Sequence, residues 1–304
     1  MCSYSLINRL GSHAYIFALF LLIFWPAAGV SMSAGVDTPG DNFDQLTEEQ
    51  ARIADDMLAF MDKMERTLFD GTERLNGALE LESQDFHLDH GEYLIQVARG
   101  PVLQKVGLYT GHSTHPVEGR IEETIWNRYL HMDLHPKTPL VGLVHITMTL
   151  QFKTDGTSTV GGNMHLAPAA GNEEDFQFVR DRVDAVFEKH GIDVERYRKA
   201  RCETSRRDRG LVACAGVSFY RPPLFDASWE NYQLVRDTYE AVVESYLDLV
   251  NNRKDDPFTE ADLAIQDQMR WNWLWDRLFS DPYTTTVVPF ELYSMATLPP
   301  EVKF

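Results

Sequence analysis

The chain has 304 residues, with 28 Lys and Arg against 46 Asp and Glu, a formal charge of −18 at pH 7. Hydrophobic residues make up 44% and charged residues 24%, which excludes wholesale disorder, a collagen-like repeat and a polytopic membrane protein. The acidic balance argues against sequence-independent nucleic-acid binding and against docking on anionic lipid, since both depend on Lys and Arg.

Residues 1–34 carry Arg9 as their one charged residue, and Ile16–Trp25 is an unbroken apolar run. That run is short for a bilayer span but fits the core of an export leader cleaved near Ala28–Ala34. The other reading starts translation at Met32, which leaves a cytoplasmic protein. No integral membrane domain is expected after the leader. Cys2 leaves with it, so Cys202 and Cys214 form either one disulfide or, the preferred reading, two buried free thiols. Residues 35–46 read as a mobile lead-in, and 47–304 as one domain.

Thr47-Glu-Glu-Gln50 is a capping box that opens a helix over Thr47–Phe69, with Ile53, Met57, Phe60/Met61, Met64 and Leu68 on one face. Tyr93–Val97 and Val102–Tyr109 read as strands broken at Arg99-Gly100-Pro101. Val144–Phe152 is the clearest strand. Its Val144, Ile146, Met148, Leu150 and Phe152 face one way, and His145, Thr147, Thr149 and Gln151 the other. A turn centred on Asp155-Gly156 follows. Asn172 caps a helix that Gly191 ends. Ala213–Tyr220 reads as a strand, Ser228–Asn251 and Thr259–Leu278 as helices, and Thr285–Tyr293 as a last strand. Strands without a regular βαβ rhythm indicate an α+β fold with an antiparallel sheet.

No phosphate loop, nucleotide fingerprint, nucleophile elbow or zinc-protease helix is present. The informative feature is histidine: His131, His135 and His145, then His165. His135 sits in a Pro-bounded segment, His135-Pro-Lys-Thr-Pro139, read as a loop that folds back onto the His145 strand. Neutral imidazoles suit a divalent metal or acid–base work near neutral pH, and two of them do not complete a metal site. Trp271, Trp273 and Trp275 read as core or interface residues rather than a ring-stacking platform.

The order of these motifs resembles the oxygen-dependent coproporphyrinogen III oxidases. The likeness rests on Gly100, Lys105 and Gly107, and on His135-Pro-Lys-Thr-Pro139 with His145 ten residues after His135. It continues through Gly161-Gly-Asn-Met-His-Leu166-Ala-Pro168, Asn172-Glu-Glu-Asp175, Arg253-Lys-Asp-Asp-Pro257-Phe258, Asn272, Asp276-Arg277 and Leu298-Pro-Pro300. It spans roughly residues 70–304. The resemblance implies a large antiparallel sheet flanked by helices on both sides, a homodimer, and a tetrapyrrole substrate. It implies decarboxylation of two propionates of coproporphyrinogen III to vinyl groups in haem synthesis, with molecular oxygen as oxidant and no required cofactor. It also implies a divalent metal on His135 and His145, His145 as catalytic proton donor, and Arg209 as a substrate-binding cation.

Thr147 and Thr149 stand where the family strand has Asn and Arg, and His165 where it has Asp. Binding a substrate with four carboxylates calls for Arg or Lys. The sequence therefore also admits a non-catalytic paralogue that binds a tetrapyrrole or a partner, and an oxidase of a smaller, less anionic substrate.

Overall fold

The computed structural model describes residues 40–119, 121–203, 215–220, 225–280 and 290–302. The Thr47 capping box closes as predicted: Thr47 accepts the Gln50 N–H and the Gln50 side chain accepts the Thr47 N–H. The helix it opens, α1 (Glu48–Asn76), continues past Phe69 to Gly77, which takes the left-handed conformation at φ +80°.

The chain then runs through β1 (Glu80–Leu88), β2 (Gly91–Arg99), β3 (Leu103–Ser113), β4 (Thr124–Pro136), β5 (Val144–Lys153) and β6 (Ser158–Leu166), and later β7 (Val217–Ser218). These form one seven-stranded sheet in sequential order, antiparallel throughout. The helices after β6 are α2 (Glu173–Lys189), α3 (Glu195–Glu203), α4 (Trp229–Arg253), α5 (Glu260–Trp275) and α6 (Phe290–Thr297). Among the described residues this is the α+β architecture expected from the sequence.

Period-2 patterning gives the sheet two unlike faces. Val106, Leu108, Leu130, Met132, Leu134, Val144, Ile146, Met148, Leu150 and Met164 form one apolar face. They join Met57 and Leu68 of α1, Val179 and Val183 of α2, and Leu234, Tyr239 and Tyr246 of α4 in a continuous core. The alternate residues of β3–β6 make a polar stripe down the middle of the other face. Helices α5 and α6 lie on that side. Gly107 of β3 permits the close approach of α6: a Cβ there would stand 2.1 Å from the Ala296 carbonyl oxygen.

Several expectations are corrected. His135 is not in a loop; it is a residue of β4, paired with Lys105 of β3. The helix expected to reach Leu278 stops at Trp275 and passes into a five-residue π-helical turn, Asp276–Ser280. Of the strand expected over Ala213–Tyr220, Val217–Ser218 pairs, and residues 213–214 lie outside the described residues. Of Thr285–Tyr293, residues 285–289 lie outside them, and Phe290 opens α6 instead of extending a strand. Pro289, with no N–H to give a ladder, separates the β-branched run before it from this helix.

Strands β1, β4 and β6 and helix α3 were not foreseen. β1 is a solvent-exposed edge strand carrying Glu80, Glu82 and Asp85, so its sequence lacks an apolar face to read. The leader, Arg209 and Cys214 lie outside the described residues. Among those described, no helix is long and apolar enough to cross a membrane.

Candidate functional site

The polar stripe is built by strand register. Asp133 of β4 pairs with His145 of β5, His145 pairs with His165 of β6, and His131 pairs with Thr147. Because neighbouring strands present directly opposed residues on the same face, these side chains meet without any loop.

Asp133 is fully buried, His131 is 1% exposed and His145 6%. His145 Nδ1 donates to Asp133 Oδ1 at 2.9 Å, and His131 Nε2 donates to Asp133 Oδ2 at 2.5 Å. The two ring nitrogens are themselves 3.1 Å apart. Burial drives the Asp133 carboxyl upward, but the His145 and His131 imidazoles outweigh it and hold the acid well below the usual carboxylate range. Burial pushes the His145 imidazole down to about 4, against the pull of Asp133. At neutral pH the pair is thus a carboxylate and a neutral imidazole. Its Nδ1–H is fixed on Asp133, and Nε2 carries the lone pair.

Trp273 of α5 covers the histidines. Its ring centroid lies 5.1 Å from His145 and 5.9 Å from His165, nearly parallel to the latter at 15°. The Arg277 guanidinium sits 4.4 Å from the centroid of the same indole and bonds Asp276 beside it. Along β5, Thr147 Oγ1 accepts the Asn163 N–H at 3.1 Å and donates to the Tyr220 hydroxyl at 3.2 Å. Tyr220 is 39% exposed, so this polar row leads from the buried centre to the surface.

His135 lies on the same face but stands apart from the cluster. Its Nε2 donates to the Thr297 carbonyl at 3.2 Å, an oxygen that also accepts the Trp273 indole N–H at 2.9 Å. Burial, with Lys105 adding to it, pushes the His135 imidazole down to about 3. Lys105 donates to the Ser294 and Leu298 carbonyls at 3.1 and 2.7 Å. Burial, then Arg99, brings its amine down to about 7.

Of the residues singled out in the sequence, the structure brings His145 and His131 together, sets His165 beside His145, and leaves His135 at the foot of α6. Arg209 lies outside the described residues. His135 and His145 make different hydrogen bonds, His135 Nε2 to the Thr297 carbonyl and His145 Nδ1 to Asp133. His131, Asp133 and His145 form a cluster whose possible ligand atoms lie within 4.8 Å of one another. Asp133 was missed. The signal for it was present in His131-Met-Asp133-Leu-His135, where polar and apolar residues alternate as they do in β5.

The sequence pattern of the coproporphyrinogen III oxidase family matches residues 102–285, more than half of the chain. The match takes in β4, β5 and β6 and with them the whole histidine–aspartate stripe. The chain belongs to the coproporphyrinogen III oxidase family.

Proposed function

We propose that the protein is an oxygen-dependent oxidase of a propionate-bearing tetrapyrrole, acting on coproporphyrinogen III to give protoporphyrinogen IX as a homodimer. In each half-reaction a propionate becomes a vinyl group. One carbon dioxide leaves, and two electrons and two protons pass to O2 as hydrogen peroxide. His145 is the proton-transfer group, accepting a proton at Nε2 while Asp133 holds Nδ1. The single observation that carries this reading is that hydrogen bond at 2.9 Å. It fixes the tautomer of a neutral imidazole on the face of the sheet that carries the polar row to Tyr220.

A second reading, a tetrapyrrole-binding paralogue without turnover, is favoured by the cations on this face. Among the described residues, Lys105, Arg270 and Arg277 are held by backbone carbonyls or by Glu301 and Asp276. A carboxylate clamp then falls to residues such as Arg209.

Coproporphyrinogen III prepared anaerobically and mixed with the protein in air tests both. Carbon dioxide release and protoporphyrin fluorescence after oxidation are expected. His145→Ala should lower turnover by about 10²–10⁴-fold while tetrapyrrole binding persists. Binding without carbon dioxide from the parent protein would leave the second reading.

A further inference from the structure

We infer that the groove between α1 and the β1–β2 end of the sheet binds a linear aliphatic polyamine. This site lies on the α1 side of the sheet, across it from the histidine row, and does not rest on the oxidase reading.

The groove has a volume of about 380 Å³. Pockets that hold small molecules begin near that size, at about 300 Å³. Asp62, Glu65, Arg66, Phe69 and Asp70 of α1 line it, with Leu81 of β1. The α1 residues stand at i, i+3, i+4, i+7 and i+8, which puts them on one face of the helix. Three carboxylates there stand against one guanidinium, so the groove favours a cation. Phe69 and Leu81, the latter 42% exposed, add apolar surface for a hydrocarbon chain.

Gln96 of β2 shows what kind of cation is missing. It is 7% exposed, and its Nε2 donates to Glu65 Oε1 at 2.8 Å. A carboxylate only accepts, so the amide must turn its nitrogen to Glu65, and its orientation is fixed. Its Oε1 is then left buried with no donor. Folded proteins keep few such acceptors. The absent partner is a hydrogen-bond donor, and the acids around it call for a positive one. An ammonium supplies three N–H donors and no acceptor. Asp62 and Asp70 are two helical turns apart, about 12 Å along the axis, so they do not converge on one compact ion. Two ammonium groups joined by methylenes reach acids at both ends, while the chain between them lies on Phe69 and Leu81. Arg66, four residues from each aspartate, competes for the same acids from within the protein.

Calorimetric titration of the full chain with spermidine, at an ionic strength of about 0.15 M to screen exposed charges, tests this. One saturable site is expected. Glu65→Gln and Gln96→Leu should each weaken it by about 10–100-fold, the loss of a hydrogen bond to a charged group. Asp62 and Asp70 are exposed, so Asp62→Asn and Asp70→Asn should weaken binding without threatening the fold, and they decide the matter if the buried variant does not fold. Arg66→Gln should tighten binding. Glu82→Gln removes an exposed acid of β1 that does not line the groove and should bind as the parent does. n-Butylamine, with a single ammonium, should bind more weakly than spermidine. The site is ruled out if spermidine does not saturate, if Glu82→Gln weakens binding as much as Asp62→Asn does, or if n-butylamine binds as tightly.

Discussion

Lys105 is one of the residues that carry the family resemblance in the linear sequence. In the fold it is 1% exposed, and its ammonium closes the C-terminal end of α6 through the Ser294 and Leu298 carbonyls. The Leu298 carbonyl lies just past the helix end, and the Ser294 carbonyl in the last turn also accepts the Leu298 N–H at 3.4 Å; both sit at the negative pole of the helix dipole. Lys105→Met keeps the stem and removes the donor. It should destabilise the protein by about 1–3 kcal/mol for the buried Leu298 carbonyl left without its donor. Urea unfolding without any ligand measures this. A variant as stable as the parent would mean that Lys105 does not hold α6. Asp133 is the opposite case: unremarkable in the sequence, it becomes the centre of the polar cluster because β4 and β5 pair it with His145.

At the scale of elements, legibility followed the strength of the local signal. The capped helices α1, α2, α4 and α5 were readable, because Thr47, Asn172, Ser228 and Thr259 each accept the N–H expected of an N-cap. Strand β5 was readable from its alternation. Strand β4 was not, because Pro136 and Pro139 drew attention to a turn. Yet Leu130, Met132 and Leu134 alternate with His131, Asp133 and His135 as strictly as the residues of β5 do. The consequence is for the site: as a strand, β4 sets Asp133 directly opposite His145. The seating of α6 was also hidden, since only the fold reveals what Gly107 makes room for. In Gly107→Ala the added Cβ would meet the Ala296 carbonyl carbon at 2.7 Å as well as its oxygen, and both belong to backbone. Overpacking of this kind costs about 1–3 kcal/mol. Thermal or urea unfolding should show that loss, together with faster amide exchange in α6 than elsewhere. Unchanged α6 exchange would rule out the close packing as its anchor.

Across the whole molecule, the two faces of the sheet divide the work. The apolar face and its helices supply the core, which leaves the other face able to bury a histidine–aspartate row. The helical layer is itself fastened by charge. Asp237 of α4 accepts Lys189 and His190 from the end of α2 at 2.8 and 3.1 Å, and Arg236 at 2.9 Å. Arg236 in turn bonds Asp56 of α1 at 2.8 Å. Three helices separated in sequence thus share one polar junction. Burial raises the Asp237 carboxyl, but the bonds from Lys189, His190 and Arg236 outweigh it, and the acid sits below its ordinary value of 3.8. A carboxyl held low in the folded state contributes stability that is complete above its unfolded value and is lost as pH falls through its folded one. Parent protein should therefore be more stable than Asp237→Asn at neutral pH, and the gap should close only in acid, below the pH at which an ordinary Asp protonates. Urea midpoints for both proteins across that range measure the gap. A difference that stays constant from neutral pH into strong acid would show that the junction acts through shape and not through the charge of Asp237.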